Sequence, residues 1–211
     1  MYNPPAFKVD DPQVLKAIMA AAPLATLVTQ GPEGFKASHL PLLYLEAEGW
    51  LIGHLSRAND QWHDLEGQEG LAIFLGREGY VSPSWYASKQ EHGKVVPTWN
   101  YEAVHATGRL SVLQEAGELR ALVERLTGSQ EAGRMTPWAV SDAPEGFIAS
   151  QIKGIVGLRL EISRLEGKRK LSQNRPTADR QGVIQGLKGE AAPKSKALAE
   201  AMIEVEPAVS S

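Results

Sequence analysis

Three short segments of this sequence concentrate side chains that could bind a ligand. Gly53-His54-Leu55-Ser56-Arg57-Ala58-Asn59-Asp60-Gln61-Trp62 closes an apolar run and delivers a hydroxyl, a guanidinium and an amide into one turn. Arginine presents a fixed fork of donors suited to phosphate, and Ser and Asn add shorter hydrogen bonds. Taken alone, the segment reads equally as a capped turn leading into a helix. Ser82-Pro83-Ser84-Trp85-Tyr86-Ala87-Ser88-Lys89 brings two aromatics, three serines and a lysine together, a set able to cover a planar ligand and neutralise an anion. Val96-Pro97-Thr98-Trp99-Asn100-Tyr101 repeats the theme of aromatics beside hydrogen-bonding groups. Each of these aromatics is also the kind of residue that simply fills a core.

Other chemistries find no support. The five histidines, His39, His54, His63, His92 and His105, form no i, i+4 pair and no familiar spacing with carboxylates, so no metal site is expected. There is no Gly-x-Ser-x-Gly elbow, and adjacent Ser38 and His39 would face opposite sides of a strand. Neither a P-loop nor a Gly-x-Gly-x-x-Gly turn is present. The absence of Cys removes disulfides, thiolate nucleophiles and Cys-based metal centres, and points to a reducing, cytoplasmic setting. The start, Met1-Tyr2-Asn3-Pro4-Pro5, is unlike a signal peptide, and no apolar stretch is long enough to span a bilayer, so no membrane role is expected.

The elements that must position these segments are mostly strands. Asp10-Asp11-Pro12 with Val14, Leu15, Ile18 and Met19 predicts a capped helix that closes before Pro23. Strands follow at Leu24 to Thr29, Ala37 to Leu45, Trp50 to Leu55, Gly70 to Leu75 and Val95 to Val112, with turn residues at 30–34 and a hairpin across Glu46 to Gly49. Glu115 to Leu126 has Leu119, Leu122, Val123 and Leu126 at helical spacing, and Pro144 to Ile152 repeats the pattern more briefly. Gly154 to Leu165 reads as a closing strand, and polar helical segments fill the C-terminal end. The expected fold class is mainly β with helices (α+β), a small antiparallel barrel with peripheral helices.

The chain has 211 residues, 43% of them hydrophobic, and a formal net charge of −3. That length supports a core without staples. The charge is uneven. Lys168 to Lys196 holds eight basic and two acidic residues, a charge of +6 that leaves −9 for the rest. We therefore expect a domain over residues 1–167 and a basic, helical C-terminal extension over 168–211. Such a stretch could contact nucleic-acid phosphates, or be a solvated helical face, or hold a ligand's phosphate.

Ser38-His39-Leu40-Pro41, Gly53-His54-Leu55-Ser56-Arg57-Ala58-Asn59, Tyr80-Val81-Ser82-Pro83-Ser84-Trp85-Tyr86, Val96-Pro97-Thr98-Trp99-Asn100-Tyr101 and Lys170-Leu171-Ser172-Gln173-Asn174-Arg175, in this order, resemble the PaiB family. These are FMN-binding negative transcriptional regulators, related in fold to pyridoxamine phosphate oxidases and flavin reductases. The resemblance runs from Met1 to about Gly189. It implies an FMN-binding split β-barrel acting as a homodimer, with flavin between subunits. It places Arg57 with Ser56 or Asn59 at the flavin phosphate, and Ser38, His39 and Leu40 beside the isoalloxazine ring. It sets His54 near the ring or ribityl chain, with Trp85, Tyr86, Lys89, Trp99 and Asn100 closing the pocket. Lys170, Ser172, Gln173 and Asn174 match a family motif whose role is to touch flavin or to shape the dimer. The resemblance implies repression of transcription, in Bacillus of sporulation and degradative-enzyme genes, through DNA contacted by the Lys168 to Lys196 segment, through a partner, or indirectly. No helix-turn-helix is legible. The rival reading is a flavin-dependent oxidoreductase or flavin reductase. Arg175 and Arg180 are the only candidates for the second phosphate site that a pyridoxamine phosphate oxidase needs, and no motif for that substrate accompanies them.

Overall fold

The computed structural model describes residues 1–205. A 3₁₀ turn at Pro5–Phe7 leads to β1 (Lys8–Val9) and α1 (Pro12–Ala21), followed by β2 (Leu24–Gly31), β3 (Gly34–Pro41), β4 (Leu43–Leu45) and β5 (Trp50–Ser56). Then come β6 (Glu69–Val81), α2 (Ser88–His92), β7 (Thr98–Leu113), α3 (Ala116–Glu131), α4 (Glu145–Ile152), β8 (Ile155–Lys170), α5 (Thr177–Gly189) and α6 (Pro193–Glu204). The class is α+β, as the alternation in the sequence predicts.

Hydrogen bonding joins the strands in the order β3-β2-β6-β7-β8-β5-β4, with β1 added to β8. The path is open, so β3 and β4 are its edges. The β2–β3 hairpin keeps full register from Leu24↔Pro41 to Gly31↔Gly34, and its turn is closed by Gly34 at φ +119°, a conformation costly for any residue with a Cβ. Along β2, Ala25, Leu27 and Thr29 are buried while the residues between them are less so, the period of two that a half-buried strand requires. The single apolar run expected from Ala37 to Leu45 is broken into β3 and β4. Pro41 has no N–H to continue a ladder, and the Leu42 amide donates instead to the Pro23 carbonyl. The hairpin across Glu46 to Gly49 therefore joins β4 to β5, with Leu43↔Ile52 and Leu45↔Trp50 paired.

β8 continues five residues past Leu165, the end predicted for it. Gly167-Lys168-Arg169-Lys170 lacks apolar alternation, which hides a strand from any reading of periodicity. β1 recruits it by pairing Lys8↔Lys168 and Val9↔Gly167. The boundary expected at 167/168 thus lies inside a strand.

The chain forms two interleaved units. The first takes Met1–Ile18, Leu75–Val104 and the chain from Glu166 onward; the second takes Met19–Phe74 and His105–Leu165. In the first unit, Val81, Tyr86 and Leu171 pack with Val183, Ile184 and Leu187 of α5 and Leu198, Ala199 and Met202 of α6. In the second, Leu119 of α3 packs with Val140 and with Ile148 and Ile152 of α4. Among the described residues no helix is long and apolar enough to cross a membrane, and no group of three or more His, Asp or Glu could hold a metal.

Candidate functional site

In the second unit the structure brings together Ser38, Ser56 and Asn59, which lie far apart in sequence. β5 ends at Ser56, whose carbonyl accepts from the Asn59 amide and whose Oγ accepts from Ala58 N–H at 3.3 Å. Asn59 caps the following 3₁₀ turn by accepting from Gln61 N–H, and its Nδ2 donates to Ser38 Oγ at 2.8 Å. The turn at the end of β5 is therefore tied to the middle of edge strand β3. Gln61, 2% exposed, reinforces the tie by donating to Thr29 Oγ1 and to the Leu27 and Lys36 carbonyls. His39 hydrogen-bonds through Nδ1 to Thr26 Oγ1 at 3.0 Å, and Leu40 is buried. The outer side of β3 carries no further strand, so its backbone N–H and C=O groups there are free of a ladder.

Arg57, expected at a phosphate, is committed to the protein. Its Nε donates to Lys153 O, one Nη to Gln114 Oε1 and the other to Ile155 O, each within 3.1 Å, and the guanidinium carbon lies 5.8 Å from the Trp62 ring centre. Three of its five N–H groups are spent on fastening the β5 turn to the start of β8. The sequence could not reveal this, because those acceptors lie 57 to 98 residues away.

His54 faces a different space. With Leu42, Leu43, Leu126, Thr127 and Trp138 it lines a cavity of about 290 Å³ between β4, β5 and α3. Its Nδ1 is buried without a hydrogen-bond partner, and burial pushes the imidazole pKa below the usual 6.5. The ring is thus a neutral hydrogen-bonding group in a cavity whose walls combine apolar side chains with Thr127, Gln130 and Glu131. Trp138 was not a sequence candidate; a lone tryptophan in the polar stretch between α3 and α4 was the available signal.

In the first unit the five candidates divide. Trp85 is docked on α5, where Gly182 and Gly186 leave room for it: a Cβ at Gly182 would stand 2.0 Å from the Trp85 carbonyl oxygen, and one at Gly186 would stand 2.4 Å from its ring. Tyr86 is 2% exposed and belongs to the α5–α6 core. Asn100 is fully buried and its Nδ2 donates to Ser172 Oγ at 3.0 Å. Those three serve packing. Lys89 and Trp99 reach solvent, the former donating to Ser84 Oγ and the latter to a Glu78 carboxylate oxygen, with Trp99 edge-on to Tyr80.

The basic stretch from Lys168 to Lys196 is not one face. Arg169 and Arg77 are clamped between Glu102 and Glu204; Lys168 donates to Tyr2 O; Arg180 is buried. Of its eight basic residues only Lys188, Lys194 and Lys196 are exposed. Lys168, Arg169 and Arg180 carry their charge into the fold.

Residues 1–164 match the family described as "Putative FMN-binding domain". The chain is 34% identical over 208 residues to the "Protease synthase and sporulation protein PAI 2" of Bacillus subtilis, covering 96% of each. Among solved structures it is similar to an FAD and heme binding protein from Mycobacterium smegmatis, with a TM-score of 0.60, 16% identity and coverage of 85% and 80% of the two chains. It is also similar to the flavocytochrome Anf3 from Azotobacter vinelandii, with a TM-score of 0.57, 17% identity and coverage of 77% and 68%. At that identity the likeness concerns the fold, which is the split barrel that such flavin-binding proteins adopt.

Proposed function

The chain belongs to the PaiB family of FMN-binding-domain proteins, and from that premise we propose that it is a homodimeric, cytoplasmic FMN-binding regulator that represses transcription. The observation that carries the flavin part is the open edge of β3 with Asn59 locked onto Ser38. A flavin ring needs donors and acceptors along its polar edge, and the alternate backbone N–H and C=O groups of the Ser38–Leu40 stretch that face away from β2 supply both without a moving part. Ser56 and Asn59 add hydroxyl and amide groups beside them. Arg57 holds that turn in place and has two N–H groups left for a ligand. His54 adds a neutral imidazole in its own cavity. In the first unit Lys89 and Trp99 are exposed, whereas Trp85, Tyr86 and Asn100 are committed to packing.

The regulatory part is supported by near full-length similarity to a protein named for protease synthesis and sporulation. Direct DNA contact, if used, falls to Lys188, Lys194 and Lys196, and two subunits would double that charge; its affinity should fall steeply with salt. The second reading is a flavin-dependent oxidoreductase. Bound flavin would supply hydride or electron transfer; the chain's part would be to orient the ring on β3 and tune its surroundings.

The first experiment is a titration of the purified chain with FMN, followed by visible absorption and quenching of flavin fluorescence. One FMN per subunit is expected. Ser38→Ala and Asn59→Ala should each weaken binding several-fold, about 1 kcal/mol per lost neutral hydrogen bond. An absence of saturable binding removes the flavin reading. If FMN binds, oxidation of NAD(P)H by the loaded protein favours the enzyme, and salt-sensitive, sequence-selective DNA binding favours the regulator.

A further inference from the structure

The first unit contains a small cavity of about 120 Å³ where β7 begins and β8 ends, lined by Phe7, Thr98, Asn100, Lys170, Ser172, Asn174 and Arg175. Its composition is one-sided. Two cations, four neutral hydrogen-bonding residues and the Phe7 ring face it, and no carboxylate does. Among the described residues neither Lys170 nor Arg175 has an acidic partner within ion-pair distance. The Lys170 ammonium donates to two neutral oxygens, Thr98 Oγ1 and Trp99 O, and keeps a third N–H. The Arg175 guanidinium lies 5.0 Å from the ring centre of buried Tyr86.

Two other cations of the same unit, Arg77 and Arg169, share Glu102 and Glu204. At the cavity, burial together with the positive charges of Lys168 and Arg175 holds the Lys170 pKa below its usual value. Half-buried cations without a counterion destabilise a fold unless something supplies the charge. The backbone is strained in the same place: Ser172 has φ +64°, a left-handed conformation rare for a residue with a Cβ, and its Oγ is bonded to fully buried Asn100. The volume is too small for a whole cofactor and suits a single charged group.

We propose that this cavity binds a phosphate dianion, with Lys170 and Arg175 supplying charge and Thr98, Ser172 and Asn174 supplying hydrogen bonds. The phosphate is either free or the terminal group of a phosphorylated ligand. In the case of FMN the inference rests on the flavin reading above; in the case of inorganic phosphate it stands without it.

The test uses the full chain. Its melting temperature and a calorimetric titration are followed with inorganic phosphate, against chloride at matched ionic strength. Saturable stabilisation by phosphate and not chloride is expected, weakened about tenfold or more in Lys170→Met and Arg175→Met and largely retained in Lys170→Arg. FMN and riboflavin then separate the sources. If the group bound is the flavin phosphate, the wild type prefers FMN, Lys170→Met closes most of that preference, and inorganic phosphate competes with FMN alone. If phosphate binds without competing with FMN, the site serves free phosphate or another phosphorylated ligand, and the inference still holds. Phosphate binding with no flavin binding removes the flavin reading and keeps the cavity. Should Lys170→Met fail to fold, the wild-type titration and Arg175→Met decide. The inference is overturned when phosphate acts no differently from chloride and FMN binds no better than riboflavin, whether or not flavin itself binds.

Discussion

His54 shows how one residue's surroundings set its chemistry. Its Nδ1 is buried and unpartnered, and burial lowers its pKa from 6.5. The folded protein therefore resists a proton that the unfolded chain accepts near that pH. Stability is complete above 6.5 and declines as pH falls through and below it, because the unfolded state then binds more protons. Replacing His54 with Gln should flatten the pH dependence of the melting temperature in that interval, and a ligand seated in the Trp138 cavity should bind less well once His54 is protonated. Melting curves from about pH 8 to 5 on both proteins check this. An unchanged slope in the variant would assign the titration elsewhere. At this scale the spacing of the five histidines gave no ranking, and the resemblance singled out His39 and His54 together. His39 lies exposed against Thr26, and only the fold separates it from His54.

Helices α5 and α6 carry the clearest packing argument at the level of elements. The backbone of Trp85 approaches α5 so closely that a methyl group at Gly182 would meet a carbonyl oxygen at 2.0 Å. Helical propensity favours alanine over glycine by about 1 kcal/mol, yet here the clash must win. Gly182→Ala should lower stability by about 1–3 kcal/mol, as overpacking usually does, whereas Gly189→Ala, with nothing within 4 Å, should be neutral or slightly stabilising. Chemical denaturation of the two variants separates the propensity effect from the clash.

The end of α6 is fixed by charge: Glu204 is bonded to Arg77 and Arg169, and these hold its carboxyl well down, from 4.5 to about 2. A depressed carboxylate stabilises the fold above its unfolded pKa and loses that contribution as pH falls toward the folded value. Part of the acid destabilisation between 4.5 and about 2 should vanish in Glu204→Gln. The effect is modest, because the Glu204 side chain is 49% exposed and screened by solvent. Far-UV circular dichroism along an acid titration reads it.

For the whole molecule, the proposed dimer makes a simple prediction: sedimentation at micromolar concentration should return twice the chain mass of 22.9 kDa. Phe35 on edge strand β3 is 81% exposed, an expensive place for an aromatic in an isolated subunit. A monomer with undiminished FMN affinity would remove the shared cleft from the proposal.

The sequence alone determined the α+β class, the order of nearly every strand and helix, and the family, because alternation, capping and turn residues are local and the five motifs stand in order. Strand β8 was legible only to Leu165, since a strand of Lys and Arg is recognised by its partner β1 and not by its own pattern. Whether a polar residue was free for a ligand or spent on the protein was decided by tertiary structure. Arg57 faces carbonyls nearly a hundred residues away, Arg169 meets Glu102 and Glu204, and Trp85 fits against two glycines of a later helix. Lys170, quoted with its motif, and Arg175, weighed there for a second phosphate site, are brought by the fold to line one cavity. Hydrogen-bond and ion-pair partners are a property of proximity in space, and one-dimensional spacing carries almost none of that information for residues far apart in the chain.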